Sequence, residues 1–455
     1  MGDLAVIVLA AGMGTRMKSA LPKVLHKIAG RSMLGHVLHA AKELNAVKAV
    51  VVHGPDMALV QDEAIAVMGA CIFAQQGERL GTGHAVSMAK EALAGFKGTV
   101  LVLYGDVPLI KAETLRVLLA LLGAKNKMAV LGFEAEKPHG YGRFIVSGKN
   151  LLDIREELDC SAAERKIKLC NSGVIAIDNE LLWQIIPKLS NKNKKGEYYL
   201  TDLVKLANKA KTKVAFALCG ETEVSGVNDR LQLSVLERAF QHDARLAAME
   251  AGATLIDPDT VYFSADTQIG RDVVIEPNVF FGPGVDVGNE VEILANSHIE
   301  GTKIEKGARI GPFARLRPGA EIGEKAHVGN FVEIKKAVIG KGAKANHLTY
   351  IGDAIVGAGS NIGAGTITCN YDGYDKHLTQ IGENVFVGSN TSLVAPLKIG
   401  AGVNIAASSV ITRDIPSNAL AMTRPALEIK EGWAARYRAV KQAAKAAKKK
   451  LKEQH

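Results

Sequence analysis

The sequence predicts an α/β chain in two parts: a Rossmann-like, doubly wound domain with a mostly parallel sheet, then a left-handed parallel β-helix of hexapeptide repeats. Two observations indicate this. Apolar runs of strand length alternate with helical stretches up to about residue 230, and apolar residues recur every six positions beyond residue 252. A chain of 455 residues also exceeds one ordinary core, so two or three domains are expected.

The first part, residues 1–230, has the rhythm of βαβ units. Its strand-like runs are "AVIVLA", "KAVVVH", "TVLVLYGD" and "KMAVLGF", and helical stretches such as "MLGHVLHAAKEL" and "AETLRVLLALLG" separate them. Ligands of such sheets bind beyond the carboxyl ends of the strands. The glycine loop after the first run and the "YGD" segment both fall there, so we expect the ligand site at that edge.

Residues 231–251 predict a connecting helix. Apolar residues recur there at helical spacing, and Gly252 can end the helix. The apolar positions are Leu233, Leu236, Phe240, Ala244 and Ala247.

The last segment, residues 252–455, carries the six-residue period and ends in a basic tail. Glycine often follows the leading apolar residue of a hexad and a small residue often lies four positions on, which we interpret as a tight corner with a small side chain beneath it. The pattern predicts a parallel β-helix and resembles the left-handed, triangular form. The leading residues are Ile269, Ile275, Phe281, Val287, Ile293, Ile299, Ile304, Ile310, Leu316, Ile322, Val328, Ile334, Ile381, Val387, Leu393, Ile399, Ile405 and Ile411.

The charge distribution argues against a nucleic-acid-binding protein. The formal net charge is +9, but from Lys430 onwards there are nine Lys or Arg and two Glu, so the basic character is mostly a tail. Such a run is usually a solvated helix or a disordered end. RNA binding by the tail stays as an alternative, and it predicts salt-dependent binding that is lost when residues 436–455 are deleted.

Cysteine usage and hydropathy indicate the compartment. The five cysteines are odd in number, scattered and without a C-x-x-C pair, so neither a disulfide framework nor a zinc site is indicated. The first residues lack the basic start of a leader, and no apolar stretch approaches the ~18 residues of a spanning helix. We therefore expect a cytoplasmic protein with no membrane insertion.

The loop after the first strand, "LAAGMGTR", is a candidate phosphate site. A dinucleotide fingerprint needs a third glycine where Met17 follows Gly12 and Gly14, and the Gly-Lys-Ser/Thr of a P-loop is absent. What remains is a strand end, a backbone that a ligand can approach, and the cations Arg16 and Lys23, which suit a triphosphate. A plain glycine turn with two solvated charges is the alternative.

Two further features point to ligands. Asp106, in "LYGDVPL", ends an apolar run and suits Mg²⁺, although a turn former or a helix cap is the alternative. Arg317 and Lys335 are eighteen residues apart, so in a coil of three hexads they stack about 4.8 Å apart. Two stacked cations attract an anion such as a sugar phosphate, unless both side chains splay into water.

A set of motifs carries a family resemblance over nearly the whole chain. "LAAGMGTR", "PKVLH", "LGTGHA", "YGDVPL", "GYGR", "NSG", "GEYYLTD" and "GVNDR" occur in an order that resembles sugar-1-phosphate nucleotidyltransferases. With the hexads behind them, the chain resembles the bacterial family that fuses an N-acetylglucosamine-1-phosphate uridyltransferase to a glucosamine-1-phosphate N-acetyltransferase. The resemblance implies a homotrimer that makes UDP-N-acetylglucosamine from glucosamine-1-phosphate, acetyl-CoA and UTP, for peptidoglycan and lipopolysaccharide precursors.

For uridyl transfer, the resemblance implies that a sugar phosphate oxygen attacks the α-phosphorus of UTP and that pyrophosphate leaves, with no protein nucleophile. Arg16 and Lys23 would act on the phosphates, and Asp106 and Asn228 would ligate Mg²⁺. Gly142, Glu156 and Asn171 would hold the sugar. The remaining substrate contacts would be Leu9, Ala10, Ala11, Gly12, Gln76, Gly81, Thr82, Tyr104 and Gly105.

For acetyl transfer, the resemblance implies that His347 is the general base that takes a proton from the attacking amine. Arg317, Lys335 and Lys376 would bind the sugar phosphate, and Tyr350 and Asn361 the sugar. The backbone N–H of Ala364 would stabilise the thioester oxyanion. The other acetyl-CoA contacts would be Asn370, Tyr371, Ser389, Ala407 and Arg424.

Some positions and alternatives stay open. Asn346 and Ser172 stand where the family pattern has Gly and Thr. The non-hexad loop 368–380 interrupts the coils and is expected to carry function. One alternative is a uridyltransferase whose β-helix is only an oligomerisation scaffold, so that residues 252–455 show no thioester chemistry. Another is a zinc hydratase on a β-helix, which needs three converging histidines. His298, His327, His347 and His377 lack the close pair of histidines expected for such a site.

Overall fold

The computed structural model describes residues 2–423 and 426–452, the last five of these by their backbone only. The chain forms two compact units, Met1–Gly307 and Ala308–His455. Coils of a parallel β-helix occur in both units.

A nine-stranded sheet forms the centre of the first unit. Its main path runs β11-β7-β10-β6-β1-β4-β5, and the hairpin β8–β9 attaches to β10. The pairs along this path are parallel except those of β10, which is antiparallel to β6 and β7. The nine strands are β1 (Leu4–Leu9), β4 (Lys48–His53), β5 (Ile72–Gln75), β6 (Thr99–Tyr104), β7 (Met128–Glu134), β8 (Arg143–Ser147), β9 (Asn150–Arg155), β10 (Leu169–Asp178) and β11 (Val214–Cys219). The short strands β2 (Lys27–Ile28) and β3 (Arg31–Ser32) form a separate two-stranded sheet.

Helices cover both faces of this sheet. In β1 the residues Val6 and Val8 belong to one buried apolar cluster and Ala5 and Ile7 to another, as the period of a strand requires. This arrangement confirms the predicted doubly wound fold. The helices are α1 (Met33–Glu43), α2 (Ala58–Met68), α3 (Thr82–Ser87), α4 (Ala112–Ala120), α5 (Asn179–Ile185), α6 (Asp202–Lys209) and α7 (Arg230–Glu250).

Helix α7 matches the predicted connecting helix to within one residue at each end. The Asp229 side chain accepts a hydrogen bond from the Gln232 N–H, 2.8 Å away, and so caps the first turn. Gly252, just past the last turn, has a φ of 102°, which suits glycine. The buried Arg245 donates from Nε to the Val261 carbonyl at 2.8 Å and so fixes the helix to the strand segment that follows.

Short parallel strands build the β-helix. In the first unit they are Thr254–Leu255, Gln268–Ile269, Val274–Ile275, Phe280–Phe281, Asp286–Val287, Glu292–Ile293, His298–Ile299 and Thr302–Ile304. In the second unit they are Arg309–Ile310, Arg315–Leu316, Ala320–Ile322, His327–Asn330, Glu333–Ile339, Lys344–His347, Tyr350–Val356, Asn361–Ile362, Ile367–Cys369, Thr379–Ile381, Phe386–Val387, Ser392–Val394, Leu397–Ile399, Asn404–Ile405, Val410–Ile411 and Leu420–Ala421. Every predicted hexad leader is buried except Ile269, which is half-buried. The six-residue period therefore marks the residues whose side chains face the interior of the β-helix.

The glycine after a hexad leader has a different role from the predicted one. The left-handed corner residue lies three positions after the leader, as at Asn278 (φ 60°) and Asn390 (φ 54°). Gly323 lies outside the left-handed region, and a Cβ on it would lie 2.7 Å from the Ile339 carbonyl oxygen of the next coil. The interpretation as corner residues is therefore wrong for Gly270, Gly282, Gly323, Gly382 and Gly400, because what these glycines permit is close approach between neighbouring coils. Gly311 differs from them, since its φ of 94° is left-handed.

The basic tail forms helix α8 (Trp433–Lys452), and its described side chains are exposed. A solvated helix is one of the two forms expected for such a run. Within residues 2–423 and 426–452, no helix is both long and apolar enough to cross a membrane.

Candidate functional site

A cavity of about 260 Å³ lies at the carboxyl ends of β1 and β6. This is the sheet edge at which the sequence predicts ligand binding. Gly105 packs beside the cavity, where its N–H donates to the Leu9 carbonyl at 3.0 Å. The predicted residues that line the cavity are Leu9, Ala10, Ala11, Gly12, Lys23, Gln76, Gly81, Thr82, Tyr104 and Asp106.

The glycine loop brings Lys23 into this cavity. Gly14 has a φ of 63°, and a Cβ on it would lie 2.4 Å from the Cβ of Lys23, so no other residue fits without displacing the lysine. Met17, which takes the place of a third glycine, is buried with Ile28 and Val227. The departure from a dinucleotide fingerprint thus anchors the loop in a small apolar cluster.

The four predicted phosphate and metal residues form two pairs. The Lys23 ammonium makes an ion pair with the Asp106 carboxylate. The Arg16 guanidinium donates to Asn228 Oδ1 at 2.9 Å. Because the Val227 N–H donates to the Asp106 carbonyl at 3.0 Å, the two pairs lie on adjoining backbone segments.

This donor set fits a hard divalent cation. One carboxylate and one amide oxygen are the few protein ligands that Mg²⁺ commonly uses, with phosphate oxygens and water in the other positions. Among the described residues, no group of three or more His, Cys, Asp or Glu is placed to hold a metal ion. An ion at Asp106 and Asn228 would therefore depend on the nucleotide for much of its coordination.

The three predicted sugar residues lie together beside the cavity. A Cβ on Gly142 would lie 3.5 Å from Glu156 Oε1 and 3.6 Å from the Asn171 Cβ. Burial raises the pKa of the Glu156 carboxyl, although the Thr201 hydroxyl donates to its Oε1 at 3.0 Å. The cluster offers a carboxylate and an amide to sugar hydroxyls.

Tyr104 connects the sugar cluster to the nucleotide cavity. Burial raises the pKa of its phenol above the ordinary range, and the neighbouring Glu156 charge adds to this, while Thr82 makes a hydrogen bond with it. Its ring also packs on Gly173, where a Cβ would lie 2.6 Å from Cε2. The phenol therefore stays protonated between the two subsites.

Sequence reasoning missed three polar residues of this site. Arg79 lines the cavity and donates from Nε to the Ala11 carbonyl at 2.9 Å. Glu197 also lines the cavity, and Thr201 orients Glu156. The last two belong to the quoted motif "GEYYLTD" and Arg79 directly precedes "LGTGHA", so each had a signal in the sequence.

In the second unit, Arg317 and Lys335 lie side by side, and Lys376, which the resemblance assigns to the same phosphate, lies near them. The register Leu316↔Ile334 places Arg317 beside Lys335. Arg317 lowers the pKa of the exposed Lys335, and Lys376 adds to the effect. Arg317 also donates to Glu333 Oε1 at 2.8 Å. Three clustered cations with one carboxylate leave an excess of positive charge for an anion.

The candidate base is exposed and held by a neighbouring coil. His347 Nδ1 lies 2.8 Å from Asn330 Oδ1. Since an amide oxygen only accepts, Nδ1 donates, and in the neutral imidazole the lone pair is then on Nε2. The Gly365 N–H donates to the His347 carbonyl at 3.3 Å, which places Ala364 next to the imidazole-bearing residue. Asn330 carries no motif of its own, and sequence reasoning missed it.

The predicted acetyl-CoA contacts follow one corner of the coils. The Asn390 N–H donates to the Ala364 carbonyl, and the Ser408 N–H to the Ser389 carbonyl, each at 2.7 Å. Ala407 adjoins Ser408 on the third of these coils, and both are exposed. Arg424 lies outside the described residues.

Within the predicted loop 368–380, residues 368–369 and 379–380 belong to strands of the coils, and residues 370–378 leave the coils as a hydrogen-bonded turn. Asp372 Oδ1 accepts from the N–H groups of Tyr374 and Asp375, both at 2.8 Å, and its Oδ2 contacts His377. The His377 contact, with the backbone bonds, lowers the pKa of Asp372. The turn carries Lys376 towards Lys335.

The remaining predicted residues lie around this turn. Asn370 donates to Asp353, and the Tyr371 hydroxyl donates to the Gly373 carbonyl at 2.6 Å. Tyr350 lies next to the cation cluster, on the strand that pairs with that of Lys335. Asn361 lies on a different strand, which pairs with the strand of His347. On that neighbouring strand, Lys344 is the residue opposite Asn361.

Comparisons with known families match both parts of the chain. The model described as MobA-like NTP transferase domain matches residues 6–169. The model described as bacterial transferase hexapeptide (six repeats) matches residues 266–301, 301–336 and 378–413. A solved UDP-glucose pyrophosphorylase, complexed with UDP-glucose, is 16% identical with a TM-score of 0.44, over 53% of this chain and all of its own, too distant to bear on the site.

Curated relatives match almost the entire chain. The bifunctional protein GlmU of Paramagnetospirillum magneticum (strain ATCC 700264 / AMB-1) is 55% identical over 98% of this chain and 99% of its own. That of Bradyrhizobium sp. (strain ORS 278) is 53% identical over 96% of this chain and 97% of its own. The chain belongs to the GlmU family of bifunctional proteins.

Proposed function

We propose that this protein makes UDP-N-acetylglucosamine in two steps at separate sites: acetyl-CoA-dependent acetylation of glucosamine-1-phosphate, then uridylyl transfer from UTP with release of pyrophosphate. The observation that carries the proposal is that one chain of this family holds two unrelated polar sites. One has paired cations beside a carboxylate at a sheet edge. The other has an oriented imidazole and a cation cluster on β-helix coils.

In uridylyl transfer the protein aligns the triphosphate of UTP with the phosphate of the sugar substrate. Arg16 and Lys23 neutralise the triphosphate, and the Gly12 backbone allows it close approach. Glu156 and Asn171 orient the sugar so that its phosphate oxygen attacks the α-phosphorus in line while the bond to pyrophosphate breaks. We propose Mg²⁺ at Asp106 and Asn228, where a bound cation offsets charge on the phosphates.

In acetyl transfer His347 Nε2 takes the proton from the attacking amine. The nitrogen then forms a bond to the thioester carbon, and the carbon–sulfur bond breaks to release coenzyme A. The Ala364 N–H stabilises the oxyanion. Arg317, Lys335 and Lys376 hold the sugar phosphate, which fixes the amine relative to the base.

Reciprocal single substitutions test the assignment. We expect His347→Ala to lower acetyl transfer by on the order of 100-fold or more and to leave uridylyl transfer unchanged. We expect Asp106→Ala to do the opposite. Each half-reaction is measured with its own substrate supplied, so loss of both activities in either variant would contradict two independent sites. Retained acetyl transfer in His347→Ala would show that His347 is not the base, whereas no acetyl transfer by the unsubstituted protein would favour the scaffold alternative for the β-helix.

We further propose a cytoplasmic homotrimer. Its five cysteines are free thiols, which suits a reducing compartment. The flat faces of a triangular β-helix suit self-association, and the family resemblance implies that acetylation takes place between subunits. Dissociation by mild denaturant or interface substitutions should abolish acetylation and spare uridylyl transfer. Acetylation by an isolated monomer would contradict this assembly.

A further inference from the structure

Helix α8 carries an exposed apolar stripe. Trp433, Tyr437 and Val440 follow one another at spacings of four and three residues and are 53%, 48% and 67% exposed. The two rings stack with their centroids 4.9 Å apart. In the sequence the same alternation continues at Ala444, Ala447 and Leu451. The apolar spacing therefore continues in the sequence as far as Leu451.

The other faces of α8 are basic. Between Trp433 and Lys452 there are eight Lys or Arg and no acidic residue. The Lys441 ammonium lies 5.4 Å from the centroid of the Tyr437 ring, so a cation borders the apolar stripe directly. An apolar stripe bordered by cations is the pattern of a helix that lies in the headgroup layer of a membrane.

We propose that α8 is a peripheral binding surface for anionic lipid membranes. Trp and Tyr at one end of the stripe prefer the boundary between headgroups and acyl chains. The Lys and Arg side chains meet lipid phosphates, each with a contribution that falls with added salt. The helix lies on the surface and does not cross it. Neither proposed half-reaction uses these residues, so the inference is independent of the catalytic proposal.

Two other occupants fit less well. A second copy of α8 could pack against the apolar stripe, because apolar residues spaced alternately four and three apart are also the pattern of a coiled coil. However, Arg436 and Lys441 flank the stripe, so a parallel assembly would bring like charges together. A nucleic acid would neutralise the cations but would leave Tyr437 and Val440 in water. An anionic membrane offers acyl chains to the apolar stripe and phosphate groups to the basic side chains of α8.

Vesicle binding by the full-length protein tests the proposal. We expect the protein to sediment with vesicles of phosphatidylglycerol and phosphatidylcholine but not with phosphatidylcholine alone, and to be released by salt. We also expect a blue shift of tryptophan fluorescence on binding. That shift reports Trp433, because Trp183 is partly buried and donates to Asn179 Oδ1 at 2.7 Å.

Paired substitutions separate the stripe from simple charge. Tyr437→Ser with Val440→Ser keeps every charge and should weaken binding to the anionic vesicles by about tenfold or more, since it removes apolar area from the lipid. The matched control, Lys188→Gln with Lys192→Gln, removes two exposed cations from the first unit and should change binding by less than about twofold.

Several outcomes would overturn the proposal. These are no binding to either vesicle, equal binding to both, or full binding by the Tyr437→Ser, Val440→Ser variant. Binding to a single-stranded RNA oligonucleotide without vesicle binding would assign the tail to nucleic acid instead. Concentration-dependent self-association that the same two substitutions abolish, without vesicle binding, would assign the stripe to a second copy.

Discussion

At the scale of single residues, Asn330 acts through another side chain. Its Oδ1 receives the Nδ1–H of His347 and so decides which ring nitrogen faces the amine. We expect Asn330→Ala to lower kcat of acetyl transfer by roughly tenfold or more, because the base loses its fixed orientation. KM for glucosamine-1-phosphate should change little, since the cations that bind the phosphate are untouched.

Steady-state kinetics of each half-reaction check this expectation. Asn404→Ala, which truncates an exposed asparagine elsewhere on the coils, is the matched control and should behave as the unsubstituted protein. If Asn330→Ala raised KM and left kcat unchanged, Asn330 would be a substrate contact and not a positioning residue.

Glu156 links the sugar site to stability. Burial raises its pKa, so ionisation costs the folded state free energy once the pH rises above the ordinary value of 4.5 and through the folded pKa. Below pH 4.5 the Glu156 carboxyl is protonated in both the folded and the unfolded protein, so burial of its charge costs no free energy of folding. Glu156→Gln should therefore raise Tm at neutral pH, not at low pH, while it weakens uridylyl transfer.

Thermal unfolding across pH measures this difference. The adjacent Glu157 is a control of opposite sign. Burial alone would raise its pKa, but the hydrogen bonds from Arg143 and the Gly140 N–H, together with the Arg143 charge and the His139 contact, outweigh burial and lower the pKa. The ion pair between Glu157 and Arg143 stabilises the fold above the ordinary pKa of a glutamate, and this stabilisation is lost as the pH falls through the lowered pKa. Glu157→Gln should therefore lower Tm at neutral pH. Equal shifts in both variants would contradict the assignment.

At the scale of elements, the turn within 368–380 depends on one side chain. Asp372 accepts two backbone N–H groups and contacts His377. We expect Asp372→Ala to raise KM for glucosamine-1-phosphate by about tenfold, since Lys376 loses its place and a charged hydrogen bond to the phosphate is lost. Tm should stay nearly constant because the turn is exposed.

The neighbouring Asp375→Ala provides the control for this turn. It removes a like charge from the same exposed segment and leaves the backbone N–H of residue 375 as a donor to Asp372. Acetyl-transfer kinetics with both variants separate loss of the turn from loss of a charge. An unchanged KM in Asp372→Ala would show that Lys376 does not depend on the turn.

At the scale of the whole molecule, the first unit includes the first coils. The buried Gln241 donates to the Phe263 carbonyl at 2.7 Å and accepts from its N–H at 2.8 Å. The Ala29 carbonyl accepts from the Ala265 N–H at 2.8 Å, which supports the segment that follows Lys23. A chain cut at residue 251 loses these contacts, whereas one cut at residue 307 keeps them.

We therefore expect residues 1–251 to unfold about 9 °C below residues 1–307. Three lost hydrogen bonds of about 1 kcal/mol each correspond to this shift at roughly 2–4 °C per kcal/mol. Both chains should retain uridylyl transfer and lack acetyl transfer. Equal Tm values, measured by calorimetry, would show that the first coils add nothing to the stability of the sheet domain.

The spacing of apolar residues and the composition of the sequence were sufficient to predict the architecture. Alternation of apolar runs predicted the sheet, and the six-residue period predicted the buried hexad leaders, because each reflects a repeating local geometry. The stacking of Arg317 on Lys335 also followed from spacing, since both lie in one unbroken register. The role of the glycines did not, because close approach of a neighbouring coil is a contact between distant residues.

What only the tertiary structure decided are contacts between segments that share no register. The resemblance assigned Lys376 and Lys335 to one phosphate and Lys23 and Asp106 to one nucleotide site, but no spacing predicted the contacts themselves, which join residues 41 and 83 positions apart. Asn330 became visible only through His347 on the next coil. Sequence by itself determined which side chains face inward and where strands end. Which polar groups meet depended on loop conformation, since loops are held by non-local hydrogen bonds and not by any repeating pattern.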